Sequence, residues 1–317
     1  MRAPACGGSP RLRRVAGSVT VFVVRGLGIA GWLAGSLVLA GCGRGPFWSF
    51  PEGETRRCTA VDFLFVIDDS ESMGRHQQNL RASFEPFIGG IERSLEDVDD
   101  FHVGVVTTDP YRGNAEGCRE LGALVTSTLG EHAEIEECGP FAEGQRYMSE
   151  RDDLARTFNC AADVGTRGLR DEQPMRALTR AISRTSGWWR ECNEGFVRDD
   201  SLLVNVIITD EADGEQVPGD TREPPTPESW FTAVERVKGT ERNAVVVSLL
   251  NGVTDDCPVT DPAFDGNNIA EFTHMFTHGF VGGICQPDYG EVFSRAVDEI
   301  DQACSEYVAD RTPVPGI

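Results

Sequence analysis

The sequence predicts an α/β domain with a doubly wound, mostly parallel sheet and helices on both faces. Three mostly apolar runs support this fold class, at residues 63–67, 202–208 and 245–249, and none of them alternates apolar with polar residues. Strands of that kind are buried on both faces, as in parallel sheets. Amphipathic segments separate the runs, which is the order expected when a helix follows each strand and packs on the sheet.

The order of the elements follows from the same patterns. We expect strands at 61–67, 101–107, 202–209 and 244–250, and helices at 77–95, 175–188, 230–238, 269–276 and 292–307. A hairpin-like run at 123–128 predicts one short antiparallel edge strand. Two segments rich in Gly, Pro, Cys or acidic residues interrupt the pattern, near 110–150 and 214–227, and we interpret them as loop insertions.

The first 41 residues have the features of an export signal. Four arginines precede an apolar stretch without acidic residues, and Arg25 leaves too short an apolar span for a transmembrane helix. The ending Leu39-Ala40-Gly41-Cys42 resembles the processing site of bacterial lipoproteins, which implies that Cys42 becomes the acylated N-terminus. Gly43 rather than Asp follows, which by the same resemblance favours the outer membrane over the inner one.

The mature chain then divides into a tether at 42–57, one domain at 58–307 and a tail at 308–317. The signal at 1–41 holds five arginines and no acid, so its removal takes the net charge from -22 to -27. A surface this acidic repels phosphate backbones and anionic headgroups. The composition therefore argues against nucleic-acid binding and leaves the lipid anchor as the only expected membrane contact. The sequence does not determine the oligomeric state.

Eight cysteines remain in the expected domain, an even number that predicts a disulfide framework in an exported protein. No Cys-x-x-Cys spacing supports zinc binding. Because the two ends of a domain usually lie close together, we expect the first and last of the eight to pair. Proximity along the chain predicts the rest, so that the expected pairs are Cys58 with Cys304, Cys257 with Cys285, Cys118 with Cys138, and Cys160 with Cys192.

Polar side chains follow the first buried strand and a later one. Asp68, Ser70 and Ser72 come directly after the first strand, and Asp210 follows the strand expected at 202–209. The carboxyl ends of parallel strands lie on one edge of a sheet, so these side chains are expected to converge. Carboxylate and hydroxyl oxygens suit a hard divalent cation, with Mg²⁺ as the first expectation and Ca²⁺ or Mn²⁺ as alternatives.

With the order of strands and helices, these residues make the region 58–307 resemble the von Willebrand factor type A domain. The signature of that family is a buried strand ending in Asp-x-Ser-x-Ser, a Thr from a distant loop and an Asp ending a later strand. The resemblance implies that Ser70 and Ser72 bind the metal directly, while Asp68 and Asp210 hold it through water. It also implies that an acidic side chain of a partner protein completes the coordination.

The third loop departs from the family pattern. The family has Gly-x-Thr shortly before an Ala-Leu pair, here Ala177-Leu178, and Glu172 fills the corresponding place. Thr166 has the expected chemistry but lies farther from the pair, so it is the alternative ligand. A carboxylate in that place would add negative charge around the metal, which tightens its binding and weakens its attraction for an acidic partner.

Together these features predict a surface- or periplasm-displayed lipoprotein that binds a protein partner through a divalent metal-ion-dependent adhesion site. No Gly-x-Ser-x-Gly nucleophile motif is found and the five histidines form no paired signal, so we do not expect an enzyme. The main alternative is a structural or envelope scaffold whose metal site is not adhesive, and a hydrolase is the weaker one.

Overall fold

The computed structural model describes residues 58–94, 98, 100–129, 136–139, 141–169, 172–213, 225–253, 257 and 267–308. The expectations for the export signal, for Cys42 and for the tether lie outside the described residues. Most of the insertion expected at 214–227 and the tail beyond residue 308 also lie outside them.

Within the described residues, the strands are β1 (Ala60–Ile67), β2 (Asp100–Thr107), β3 (Ser127–Thr128), β4 (Glu136–Glu137), β5 (Met148–Ser149), β6 (Leu202–Thr209), β7 (Ala244–Leu250) and β8 (His278–Gly283). A six-stranded sheet has the order β5-β2-β1-β6-β7-β8, and β3 and β4 form a second, two-stranded sheet. In the larger sheet, neighbouring strands are parallel except for β5, which is antiparallel to β2.

The helices of the described chain are α1 (Gly74–Ser94), α2 (Leu154–Ala161), α3 (Pro174–Ile182), α4 (Trp189–Cys192), α5 (Pro227–Lys238), α6 (Asn267–His274) and α7 (Gly290–Ser305). Helices α1, α2 and α7 cover one face of the large sheet, and α3, α5 and α6 cover the other. The predicted fold class is therefore confirmed. None of the helices in the described part of the chain is long and apolar enough to span a bilayer.

The buried runs lack alternation because both faces of the sheet are covered. Consecutive residues of a strand point to opposite faces. In β1, Phe63 and Phe65 join the core under α1, where Phe65 meets Phe84 edge to face at 5.8 Å between ring centroids. Leu64 and Val66 join the core on the other side. Apolar residues therefore occupy five consecutive positions of the strand, from Phe63 to Ile67.

The expectation that the antiparallel edge strand lies at 123–128 is wrong. The edge position belongs to β5, in which Met148 pairs with Val103 of β2. The 123–128 segment approaches β2 farther along, where the Val125 N–H donates to the Val105 carbonyl at 2.8 Å. Its last two residues form β3 and pair with β4, because the insertion folds back on itself as a separate hairpin.

Four disulfides are present, Cys58–Cys304, Cys257–Cys285, Cys118–Cys192 and Cys138–Cys160. The first two are the expected pairs. The expected pairs of Cys118 with Cys138 and of Cys160 with Cys192 are wrong. The loop at Cys118 packs against α4, which ends at Cys192, and the hairpin that precedes Cys138 lies beside α2, which carries Cys160.

Candidate metal-binding site

The Asp68, Ser70 and Ser72 motif lies at the carboxyl edge of the large sheet, directly after β1. The Asp68 N–H donates to the Ile208 carbonyl at 3.0 Å, so the pairing of β1 with β6 continues one residue past the strand. The chain then turns, and Oδ1 of Asp68 accepts the Ser70 N–H at 2.8 Å. A short 3-10 turn at Glu71–Met73 leads into α1. The motif is thus held between a buried strand and the start of a long helix.

Three of the expected ligands form a continuous chain of contacts. The hydroxyl oxygens of Ser70 and Ser72 lie 3.1 Å apart, and the Ser72 hydroxyl donates to Oδ1 of Asp210 at 3.1 Å. Asp210 directly follows β6, so the two strand ends meet. Ser70 and Asp210 are buried, whereas Ser72 is exposed. The chain of oxygens therefore opens to solvent at Ser72.

Two further residues hold Asp68 in place. The Thr209 hydroxyl donates to Oδ2 of Asp68 at 2.7 Å. The side-chain amide of Gln77 donates to the Asp68 carbonyl at 3.0 Å and to the Gly165 carbonyl at 2.8 Å. Sequence reasoning missed both residues, although Thr209 directly precedes Asp210 at the end of a buried strand. Their bonds fix the position of Asp68 and join the motif to the loop between α2 and α3.

Burial raises the pKa of Asp68 to about 6. The hydrogen bonds from Thr209 and Ser70 stabilise the carboxylate and act in the opposite direction, while the negative charge of Asp210 adds to the rise. The side chain is 0% exposed, so water cannot compensate its charge. A cation at this edge would supply that compensation and favour the ionised form.

Thr166 lies in the loop that packs against the motif. Its neighbour Gly165 accepts the Gln77 amide, and the Gly168 N–H donates to the Asp69 carbonyl at 2.8 Å. Cγ2 of Thr166 lies 3.4 Å from the place a Cβ would take on Gly74, the first residue of α1. The loop around Thr166 is thus in direct contact with the residues that flank Ser70 and Ser72.

Glu172 lies beneath the motif in a buried position. Its Oε2 accepts the Thr108 hydroxyl, and its Oε1 has no hydrogen-bond partner among the described residues. Burial, with the negative charge of Asp68 and Asp69, raises the pKa of Glu172 to about 10. Among the described residues, no hydrogen bond joins Glu172 or Thr166 to Ser70, Ser72 or Asp210, so the geometry alone assigns neither of them to the chain of oxygens.

Two more carboxyl groups, which sequence reasoning missed, are buried beside Glu172. Asp69 and Asp109 are each 3% exposed. Burial and the charge of Asp109 raise the pKa of Asp69 well above its usual range, and burial raises the pKa of Asp109. A signal was present in the sequence, because Thr108-Asp109 follows β2 in the same way that Thr209-Asp210 closes β6. Three neighbouring strand ends therefore contribute carboxyl groups to this edge.

The segment after Asp210 is fastened to α3. Oδ2 of Asp213 accepts the Met175 N–H at 2.7 Å, in the first turn of that helix. The Asp213 carbonyl accepts the side-chain amide of Asn268 at 2.7 Å. Carboxylates are favourable at helix N-termini, where backbone N–H groups lack partners. Asp213 therefore acts as an anchor for the loop that carries Asp210.

The oxygens of the motif are spaced as ligands of a small hard cation. An octahedral Mg²⁺ with ligands at about 2.1 Å holds adjacent oxygens about 3 Å apart, and the two contacts that Ser72 makes are both 3.1 Å. Within the described residues, no group of three or more His, Cys, Asp and Glu side chains is arranged to hold a metal ion.

No family model matches the chain, and no curated protein matches it. Among solved structures, it is similar to proximal thread matrix protein 1 from the mussel byssus, with 11% identity and a TM-score of 0.38, over 76% of this chain and 48% of that one. It is also similar to the pilus adhesin SpaC from Lactobacillus rhamnosus GG, with 12% identity and a TM-score of 0.40, over 79% of this chain and 30% of that one. The chain spans less than half the length of either protein.

Proposed function

We propose that the domain is of the von Willebrand factor A type and binds a protein partner through a divalent cation, with Mg²⁺ as the first candidate. The observation that carries the proposal is the chain of oxygens from Ser70 through Ser72 to Asp210, at the meeting point of two parallel strands. The cation would present an electrophilic position to a carboxylate of the partner. We propose no catalytic activity.

The hydrogen bonds support distinct roles for the ligands. Ser70 and Ser72 place two uncharged oxygens side by side, and Ser72 faces solvent. Both carboxylate oxygens of Asp68 already accept a hydrogen bond, from Ser70 and from Thr209, which favours contact with the cation through water. With few charged oxygens in direct contact, the cation keeps its attraction for an acidic ligand.

We propose Thr166 rather than Glu172 as the ligand from the third loop. The loop of Thr166 is bonded to the motif through Gln77 and through the Gly168 N–H. Glu172 is directed to Thr108 instead, and burial raises its pKa, which disfavours the ionised form that a metal ligand needs. Without Glu172 among the ligands, its carboxylate would not add negative charge next to the cation, and the loss of affinity for acidic partners that such a charge would cause would not arise.

Metal binding is tested by titration calorimetry of the purified domain with Mg²⁺, Ca²⁺ and Mn²⁺. We expect binding by the unaltered chain and at least a tenfold loss in Ser70→Ala and Ser72→Ala, since each substitution removes one ligand. Ser294→Ala is the matched control, because Ser294 is exposed on α7 and remote from the motif. Cation binding that is equal in all four proteins would overturn the proposed site.

Partner binding is tested by affinity capture from envelope extracts with and without a chelator. A partner that is released by the chelator and lost in Ser70→Ala supports the adhesive function. A partner retained in both conditions contradicts the cation dependence. Calorimetric metal binding without any chelator-sensitive partner favours the alternative of an envelope scaffold with a non-adhesive metal site.

We further propose export and lipid anchoring through Cys42, in the outer membrane rather than the inner one. The support is the sequence alone, an arginine-led apolar signal that ends in Leu39-Ala40-Gly41-Cys42. In a bacterial host fed labelled palmitate, the chain is expected to incorporate label and to sediment with outer membranes. Cys42→Ser should remove the label, and label that persists in this variant would contradict the proposal.

A further inference from the structure

Three exposed arginines surround the candidate metal site in a strongly acidic protein. Arg75 is in the first turn of α1, Arg112 follows β2, and Arg167 is next to Thr166. In the described part of the chain, none of their guanidinium groups makes a hydrogen bond or an ion pair. Exposed guanidinium groups in these positions can bind a ligand from solution.

Hydrogen bonds connect the segments that carry these arginines into one edge. Gln77 joins the Asp68 carbonyl to that of Gly165, which precedes the Arg167 loop. The Leu169 N–H donates to Oδ2 of Asp109 at 2.8 Å. The positive charge of Arg112 acts on the same Asp109 carboxyl and lowers its pKa against the effect of burial. We call the three arginines, together with Leu169, the arginine rim.

The described residues next to the candidate ligands differ in exposed charge from the chain as a whole. The chain carries 51 acidic residues against 29 lysines and arginines. Six acidic residues beside the rim are at least nine-tenths buried and so add little exposed negative charge. They are Asp68, Asp69, Asp109, Glu172, Asp210 and Asp213. Among the described residues next to the candidate ligands, the exposed charges are those of the three arginines and of Glu71, and Glu211 is partly exposed. A divalent cation would add further positive charge there.

Leu169 gives the rim an apolar contact point. It is 45% exposed and is the one large hydrophobic side chain of the described residues with that degree of exposure. Its position is fixed by the backbone bond to Asp109. Leu169 is thus an apolar side chain that a ligand bound beside the arginines could contact.

We propose that the arginine rim selects an acidic peptide segment of a partner protein. In this segment, one acidic residue supplies the carboxylate that reaches the cation, an apolar residue precedes it and further acidic residues follow it. The additional carboxylates pair with the rim arginines, and the apolar side chain packs on Leu169. This inference rests on the proposed cation site, and it specifies the ligand that the site takes. Arginine suits this role because its planar guanidinium group can donate two parallel hydrogen bonds to one carboxylate.

The test uses two labelled peptides, Gly-Ser-Gly-Leu-Asp-Glu-Glu-Gly-Ser-Gly and the same peptide with Asp-Gln-Gln in place of Asp-Glu-Glu. Fluorescence anisotropy with Mg²⁺ is expected to give about tenfold tighter binding of the acidic peptide, and a chelator should abolish it. Charge reversal in Arg75→Glu or Arg167→Glu is expected to weaken binding about tenfold, since close charge pairs across an interface couple strongly. Leu169→Ser should weaken both peptides equally.

Arg236→Glu is the matched control. It makes the same charge change at an exposed position of α5, two residues before Lys238, whose Nζ contacts the opposite edge of the sheet at the Arg198 carbonyl. We expect its peptide affinity to stay within twofold of the unaltered chain. A loss of affinity as large in Arg236→Glu as in Arg167→Glu would mean that net charge alone governs binding, which would overturn the proposal.

Calorimetry with Mg²⁺ on the same variants separates the two proposals. If the unaltered chain does not bind Mg²⁺, both the proposed cation site and the proposed role of the rim are overturned. Retained Mg²⁺ binding with equal affinity for both peptides overturns the rim alone. Tight binding of a sulfated polysaccharide in the presence of chelator would also overturn it, because such binding requires neither the cation nor the apolar contact.

Discussion

The hydroxyl of Thr209 donates to the carboxylate of Asp68 across 2.7 Å, from the last residue of one central strand to the first residue after its neighbour. Both side chains are 0% exposed. The bond therefore links the two strand ends that carry the candidate ligands, and it stabilises a carboxylate that would otherwise be buried with a single donor from Ser70.

Thr209→Val should weaken both the fold and the metal site. Valine keeps the shape but leaves one oxygen of Asp68 without its donor, which costs about 1–3 kcal/mol in a buried position. We expect a loss of unfolding free energy of that size in urea denaturation and a lower affinity for Mg²⁺ in calorimetry. Thr232→Val is the control, because Thr232 is exposed on α5 and bonds only to the carbonyl of Glu228 within its helix. Equal changes of unfolding free energy and of Mg²⁺ affinity in the two variants would contradict the role of Thr209.

The stability of the metal-free protein should fall as pH rises from about 4 to about 6. The pKa of Asp68 is raised by burial from an ordinary 3.8 to about 6. The folded state therefore holds a proton that the unfolded state has released, and the stabilisation from this group is complete below pH 4 and lost above pH 6. Its size is at most about 3 kcal/mol, at about 1.4 kcal/mol for each tenfold change in proton affinity.

Urea denaturation in the presence of a chelator at pH 4, 5, 6 and 7 measures this pH dependence. The same series on Asp68→Asn isolates the contribution of Asp68, because the other carboxyl groups affect the free energy of unfolding of both proteins equally. Mg²⁺ should reverse the trend above pH 6, since a cation favours ionised Asp68. If Asp68→Asn retains the full pH dependence of the unaltered chain, the assignment to Asp68 is incorrect.

The strand ends were predictable from the sequence, and the partners of the ligands were not. A mostly apolar run that ends in polar residues marks both Asp68 and Asp210, and the parallel sheet brings them together whatever lies between. Gln77 and Thr108 act through contacts between separate elements, so nothing in their local pattern distinguishes them from other polar residues. Their role depends on how α1, which carries Gln77, and the end of β2, which leads into Thr108, pack against the motif. Spacing along the chain does not encode that packing.

Strand β8 was missed for a different reason. It contains Gly279, Gly282 and Gly283, and glycine is depleted in strands, so the segment lacks the apolar run that marks the others. The structure shows why glycine is needed at the first of these positions, where a Cβ would collide with the carbonyl oxygen of Thr273 at the end of α6. Close packing of a helix on an edge strand selects glycine against strand propensity.

The roles of Thr166 and Glu172 can be separated by two substitutions. Glu172→Gln keeps the shape of the side chain and removes its charge, so if Glu172 is not a ligand the substitution should leave Mg²⁺ affinity within twofold and change the free energy of unfolding by less than about 1 kcal/mol. Thr166→Ala should lower Mg²⁺ affinity about tenfold, through loss of one ligand. The opposite result, with affinity lost in Glu172→Gln and retained in Thr166→Ala, would restore the assignment that the spacing to Ala177-Leu178 favours.

The disulfide connectivity gives a direct check of the inserted segments. Digestion of the oxidised protein without reduction should yield peptides that join Cys118 to Cys192 and Cys138 to Cys160. The first bridge closes 74 residues and the second 22, so removing either should cost several kcal/mol, about 3–5 kcal/mol by loop-closure entropy. Mass spectrometry that instead finds Cys118 joined to Cys138 would place the β3-β4 hairpin differently.

At the opposite edge of the sheet, the buried Asp62 and the partly exposed Arg198 form an ion pair that should support stability without affecting the metal site. Asp62 is 0% exposed, and its carboxylate accepts the Arg198 backbone N–H at 2.7 Å and the Arg198 Nε–H at 2.8 Å. Arg198→Met would leave this carboxylate with the backbone N–H of residue 198 and the Ser201 hydroxyl as donors, and losing the guanidinium donor should cost about 1–3 kcal/mol. Urea denaturation should show that loss, while Mg²⁺ affinity below the unfolding transition stays within twofold. A parallel fall in Mg²⁺ affinity would mean that the two edges are coupled through β1, which holds Asp62 near one end and leads into Asp68 at the other.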